Sequence, residues 1–360
     1  MSTAGFCPGP SASGVHRLAG WYRLPISEKY PPVVKREARL APGRIDQTTP
    51  EAAYPRPSAG DVPASTRQSG TWSGLLAGLV LSASASASEF GGSNYIPGFY
   101  GDFQMAVFTP GLFLNNFLGY YGVEGNGISS DMVLEMPGLM GVHEFDSLDG
   151  RYLWAIYPAA MYANYGVAAT ATRDSTFTQR AGPGDMYLVP LGWTWDDDDW
   201  AVTAFQGIVA PTGSFSNSQT VNLGRDYWTF DSNVMGTWMF ADKAFEISVD
   251  AGFMLNTQND ATDFHTGSEF HFDYLLGYHP APAWALGVAG SYYTQIEGDS
   301  GRGAPPLLID GEAATLGPAV MYTFKAGERE VSVALKWLHE ISVNNHLPGD
   351  YILMRTMFQF

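Results

Sequence analysis

The chain has 360 residues, enough for one large or two ordinary domains, with 19 basic against 36 acidic residues and a formal charge of −17. That balance repels nucleic acid and leaves no basic patch for an anionic membrane surface. Only 15% of residues are charged while 14% are aromatic, unlike a cytosolic enzyme, where about a quarter are charged. The single cysteine, Cys7, rules out internal disulfides and thiolate metal sites.

In chain order, residues 1–61 are rich in Pro, Ala, Ser, Gly and Arg without apolar periodicity. This segment reads as a disordered extension or as an over-long gene start, with Val62 a plausible alternative initiation point. Residues 62–87 read as a secretory signal peptide: Arg67 gives a positive start, Thr71 to Leu81 a short apolar middle, and Ala85-Ser86-Ala87 an exit. The apolar run is much shorter than the roughly 20 residues of a spanning helix. Residues 88–111 are Gly- and aromatic-rich and are expected to form a periplasmic segment that could plug or line a barrel mouth.

From residue 112 to 360 the pattern predicts an all-β fold, an antiparallel transmembrane β-barrel of about 12 strands. The predicted spans are 112–124, 131–142, 150–163, 185–195, 199–210, 226–240, 245–257, 267–279, 284–296, 312–324, 331–342 and 350–360. In the seventh span Phe245, Ile247, Val249, Ala251, Phe253 and Leu255 alternate with Glu246, Ser248, Asp250, Gly252, Met254 and Asn256. One face is wholly apolar, as a strand between lipid and a polar interior requires. The eighth span likewise sets Phe270, Phe272 and Tyr274 against Glu269, His271 and Asp273. In the last span Ile352, Met354, Thr356, Phe358 and Phe360 share one face, and Arg355 and Gln359 the other. A final aromatic such as Phe360 is expected to engage the barrel-assembly machinery.

Counted back from Phe360, the connections near 325–330, 280–283, 241–244, 196–198 and 143–149 are short, while those near 343–349, 297–311, 258–266, 211–225 and 164–184 are mostly longer. Outer-membrane barrels show this alternation of periplasmic turns and outer loops; soluble β-sandwiches have no cause for it. Aromatic pairs such as Trp193 and Trp195, or Trp238 and Phe240, lie near strand ends, where interfacial girdles belong.

Several segments carry a family resemblance: Gly92-Ser-Asn-Tyr-Ile-Pro-Gly98, Asp185-Met-Tyr-Leu-Val-Pro-Leu-Gly-Trp193, Ala210-Pro-Thr-Gly213, Asn222-Leu-Gly-Arg-Asp-Tyr-Trp-Thr-Phe-Asp231, Asn256-Thr-Gln-Asn-Asp-Ala-Thr-Asp263, Gly277-Tyr-His279 and Gly298-Asp-Ser-Gly301. Over about residues 89–360 the chain resembles the MetA-pathway phenol-degradation family. The resemblance implies a barrel in the Gram-negative outer membrane that assists uptake of aromatic or other hydrophobic compounds. It supplies no catalytic residues.

The remaining constellations carry less chemistry. Gly298-Asp-Ser-Gly-Arg-Gly303 looks like a serine-nucleophile loop, but that chemistry needs a base and an orienting acid, and an outer loop rich in turn residues accounts for it. Asp196-Asp-Asp-Asp199 reads as a charged periplasmic turn because it lacks calcium-loop spacing. His271 and His279 share a face yet stand too far apart to hold one ion, so no metal site and no cofactor are expected. The candidate site is the polar lumen lining of Glu246, Asp250, Glu269, His271 and Asp273, with Lys336, Glu340 and Arg355. It forms either a satisfied ion-pair network filling a narrow barrel or a conduit whose field favours cations.

The leading expectation is a passive channel for small, aromatic or hydrophobic solutes, with outer-membrane lipid and the solute as its partners. A structural barrel with a closed lumen is the alternative. An outer-membrane enzyme such as a lipase would need a serine beside His339 on the lipid face, and the sequence offers none.

Overall fold

The structure, a computed structural model, describes residues 93–360 apart from 126–127, 146–148, 169–174, 220, 305–310 and 345–347. The extension 1–61, the signal peptide 62–87 and Cys7 lie outside the described residues. The chain forms β1 (Gly111–Gly125), β2 (Ile128–Glu144), β3 (Arg151–Tyr157), β4 (Ala160–Ala168), β5 (Ser175–Pro183), β6 (Met186–Asp196), β7 (Trp200–Ala210), β8 (Thr229–Phe240), β9 (Phe245–Asn256), β10 (Glu269–Ala281), β11 (Trp284–Gln295), β12 (Glu312–Ala326), β13 (Arg329–Asn344) and β14 (Gly349–Gln359).

Every ladder is antiparallel; all join consecutive strands except β2–β4, β3–β6 and β1–β14, and pairing of β1 with both β2 and β14 closes the sheet. β3 and β4 both pair with β2 in one unbroken register across a gap at Pro158-Ala159, so they are two halves of one wall strand. β5 and β6 are halves of the next, separated by Gly184-Asp185. The barrel therefore has twelve wall strands, an even number as bacterial outer-membrane barrels have. The prolines of this region sit where a ladder ends or shifts: Pro158 in the gap, Pro183 at the end of β5, and Pro190 at the register shift between β6 and β7.

Strand bounds agree with the period-two pattern to within three residues except at these split strands. The connection expected at 164–184 is instead mostly strand, the hairpin of β4 and β5. The sequence of β5, Ser-Thr-Phe-Thr-Gln-Arg-Ala-Gly-Pro, lacks the alternate apolar face on which the strand signal rests. Among the described residues β5 pairs with β4 on one side only. Its other side faces the segment after β7, where the Ser214 amide donates to Pro183 O at 3.0 Å and Arg180 Nη1 to Val221 O at 2.9 Å.

Burial is inverted relative to a soluble protein. On β8 and β9, Phe230, Val234, Trp238, Phe245, Phe253 and Leu255 are exposed, while Asp231, Asn233, Thr237, Glu246, Ser248 and Asp250 are buried. No medium except hydrocarbon rewards a continuous outward apolar face with a polar interior behind it, so the barrel spans a membrane. Aromatic pairs line the short-turn end: Phe240 stacks on Phe245 and Tyr322 on Phe324, while Phe245 packs tilted on Tyr278 and Trp284 on Tyr322. Such rings settle at the headgroup level.

Candidate functional site

The interior is occupied by residues 93–110, which precede β1 and contain no helix or strand. A backbone without a ladder must find other partners for its amides and carbonyls when it is buried. Here the wall supplies them. Lys336 Nζ donates to Gly98 O and Gly101 O, both at 2.6 Å. Arg355 Nη2 donates to Phe103 O at 3.2 Å, and Arg151 Nε to Phe108 O at 2.9 Å. The hydroxyls of Thr194 and Thr203 donate to Ala106 O, while Thr237 Oγ1 accepts the Ala106 amide at 3.2 Å. Glu246 accepts the Gln104 amide.

Two side-chain features seat this segment. Phe103 is buried among Leu275, Ala285, Ala289, Ala319, Ala334 and Leu338, where small inward residues on β11 to β13 leave room for its ring. Asp102 on the segment sits 2.9 Å from Arg355 Nε and 3.8 Å from Lys336 Nζ, so the two wall cations share one carboxylate. Gly98 has φ of 77°, and a Cβ there would lie 2.2 Å from Leu338 Cδ1. Only glycine turns the chain there at that distance from the wall.

On the β8–β10 side the polar groups converge. Asp250 on β9 and Asp273 on β10 are direct cross-strand partners, and His271 lies two residues from Asp273 on the same face. His271 Nε2 is 2.9 Å from Asp231 Oδ1, and its Nδ1 is 3.5 Å from Asp250 Oδ2 and 4.0 Å from Asp273 Oδ2. The imidazole stacks with two rings of the N-terminal segment, Tyr95 at 4.4 Å and Tyr100 at 5.4 Å between centroids. The Tyr95 hydroxyl donates to Asp273 Oδ2 at 3.0 Å and that of Tyr100 to Asp231 Oδ2 at 2.7 Å. Burial first, then the Asp273 charge for Tyr95 and the Asp231 charge for Tyr100, push both phenols well above their ordinary range. They are therefore neutral hydrogen-bond donors.

The other expected lining residues also face inward. Glu246 binds His279 Nε2 at 2.8 Å, Glu269 accepts from the Tyr293 hydroxyl and from Asn256 Nδ2, and Glu340 accepts the Gly349 amide at 2.7 Å. The lining meets the N-terminal segment and neighbouring wall groups, and His271 and His279 serve different carboxylates. Sequence reasoning placed the inward faces but missed Asp231, Tyr95, Tyr100, Asp102 and Arg151. The visible signal was the run of Tyr, Phe and Asp in residues 95–103 ahead of the first strand.

On the β1–β3 and β6–β7 side part of the interior is mostly apolar, with Asp102, Asn115 and Arg355 as the polar members of its lining. A cavity of about 70 Å³ lies between the segment and the wall, lined by Phe99, Tyr100, Phe117, Tyr157, Tyr187 and Phe205 with Met105, Met140 and Met235. Elsewhere, Gly298–Gly303 lies in a long loop where His265 bridges to Ser300, and Asp196–Asp199 spans the β6–β7 turn, with Asp196 held by Arg151 at 2.6 Å. His339 pairs with Asp350 at 3.1 Å, and no serine among the described residues hydrogen-bonds it.

The fold matches the COG4313 outer membrane channel from Pseudomonas putida F1 with a TM-score of 0.57 at 13% identity, over 74% of this chain and 100% of that one. Weaker likenesses are to the transport unit of the autotransporter AIDA-I from Escherichia coli, with a TM-score of 0.43, 10% identity, and 73% and 93% of the two chains, and to the NanC porin, with 0.39, 12%, 69% and 100%. No curated protein matches the chain by sequence. The family model described as "Putative MetA-pathway of phenol degradation" matches residues 119–356, most of the barrel. The closed twelve-stranded wall and that match place the chain in the MetA-pathway phenol-degradation family.

Proposed function

We propose that the protein is a Gram-negative outer-membrane channel for passive entry of small neutral solutes, aromatic ones above all. The observation that carries this reading is the cavity walled by aromatic rings and methionines beside the N-terminal segment. A neutral ring feels little of the interior field, whereas seven aromatic side chains, Phe108 among them, offer stacking and edge contacts, and the methionines offer adaptable ones. The family description, which names phenol degradation, and the P. putida channel of the same fold support it. Residues 93–110 stand in the lumen, so passage requires that segment to shift.

Growth on a monoaromatic compound supplied at limiting concentration tests the reading. Deleting the gene should slow that growth and leave growth on succinate unchanged. The variant Ala155→Trp, which fills the cavity from the buried β3 position, should assemble normally yet fail to restore the rate. Equal growth of deletion and parent strains on both carbon sources would remove the uptake reading and favour a structural barrel with a closed lumen, which the filled interior would then explain.

A further inference from the structure

The Asp250, His271 and Asp273 cluster is not explained by seating the N-terminal segment. Asp231 accepts from His271 Nε2, which fixes the proton on that nitrogen and turns the Nδ1 lone pair toward Asp250 and Asp273. Three electron-rich groups then face one another. Both Asp250 oxygens, Asp273 Oδ1 and His271 Nδ1 are buried and hydrogen-bond to no described residue. All three side chains are 0% exposed, so solvent does not screen them. Buried polar atoms are almost always partnered, and four unpartnered ones on three adjoining side chains call for a positive charge among them.

The local charge balance gives its size. Four carboxylates, Asp231, Asp250, Asp273 and Asp102, stand in this region with two cations, Lys336 and Arg355, both of them against Asp102, so two negative charges remain when His271 is neutral. The ligand-bearing atoms of Asp250, His271 and Asp273 lie within 4.8 Å of one another. We infer that these three residues bind one divalent first-row transition metal of the zinc type. One imidazole nitrogen with two carboxylate oxygens suits such ions, whereas calcium and magnesium prefer oxygen alone. Asp231 is the carboxylate behind the ligating histidine, a second partner that sets ring orientation and raises ligand basicity. Gly252 leaves room for the imidazole itself, because a Cβ there would lie 2.1 Å from His271 Nε2, on the edge that bonds Asp231.

The ion ties β9 to β10 beneath the N-terminal segment, through Asp250 on one strand and His271 and Asp273 on the other. The segment packs against it: Tyr95 and Tyr100 both stack on the imidazole, and the Tyr95 hydroxyl donates to the ligand Asp273.

The test uses untagged mature protein in detergent, stripped with chelator, equilibrated with micromolar zinc, and assayed by elemental analysis after gel filtration. Wild type should retain about one zinc per chain, and Asp250→Asn should lose at least about tenfold of it while keeping the heat-dependent gel shift of a folded barrel. X-ray absorption of the wild-type zinc form, which depends on no variant folding, should show only nitrogen and oxygen neighbours at about 2.0–2.2 Å. Wild type that holds no zinc, or a folded Asp250→Asn that holds as much as wild type, would overturn the site. Calcium displacing zinc at equal concentration would overturn the assignment of metal class.

Discussion

Lys336 is the wall residue on which docking of the N-terminal segment turns, and Lys336→Met isolates that contribution. Its ammonium donates to Gly98 O and Gly101 O at 2.6 Å and stands 3.8 Å from Asp102. Hydrogen bonds to a charged group contribute about 1.5–3 kcal/mol each. Methionine removes both, but also removes the several kcal/mol spent on burying the ammonium, and Asp102 keeps Arg355. The net loss should be about 2–3 kcal/mol, borne by the docked segment because the strands on either side of Lys336 keep their ladders. That raises the population of the released segment about 30- to 150-fold. Hydrogen exchange read by mass spectrometry should show peptides within 93–110 exchanging faster by that factor, with β8–β11 peptides unchanged. Planar-bilayer recordings should show longer open events. Exchange within about threefold of wild type, with unaltered conductance, would refute the claim that this cation holds the segment.

Gly252→Ala should lower the midpoint of thermal unfolding, because its Cβ would meet the His271 ring at 2.1 Å and Asn233 Oδ1 at 2.5 Å; overpacking of about 1–3 kcal/mol is expected, and an unchanged melt would show that β9 can yield. Val234→Lys, at an outward position midway along β8 that is 54% exposed, should cost about 2–4 kcal/mol of folding free energy in lipid vesicles. Its denaturant midpoint should fall in bilayers, and no fall would place Val234 outside the hydrocarbon.

The wall was legible in the sequence because lipid outside and polar groups inside impose a period of two, and β9 states it residue by residue from Phe245 to Leu255. β5 was not legible, since a strand without a lipid face has no such period. Within the site, Asp250 and Asp273 could be placed on neighbouring inward faces, but only the register makes them cross-strand partners of each other. Asp231 could not be chosen among the inward polar residues of β8 without knowing that His271 reaches it across β9. The roles of Lys336, Arg355 and Arg151 stayed hidden for a different reason: besides a carboxylate each, they bind backbone carbonyls of a segment with no regular structure, and carbonyls leave no trace in residue identity.

The one-sided ladder of β5 also marks a waterline. Peptide groups on an open strand edge have no hydrogen-bond donors or acceptors to turn to among acyl chains, at several kcal/mol apiece. Here the edge is flanked by Arg180, Asp185 and Arg225, and Asp185 accepts the amides of Gly213 and Arg225 at 2.8 and 2.7 Å. On this flank the hydrocarbon therefore ends near the Gly184-Asp185 break, level with Ala210, which pairs with Met186. The β4–β5 hairpin stands clear of the acyl chains like a parapet on one side of the rim. A solute approaching from that quarter meets protein before it meets lipid.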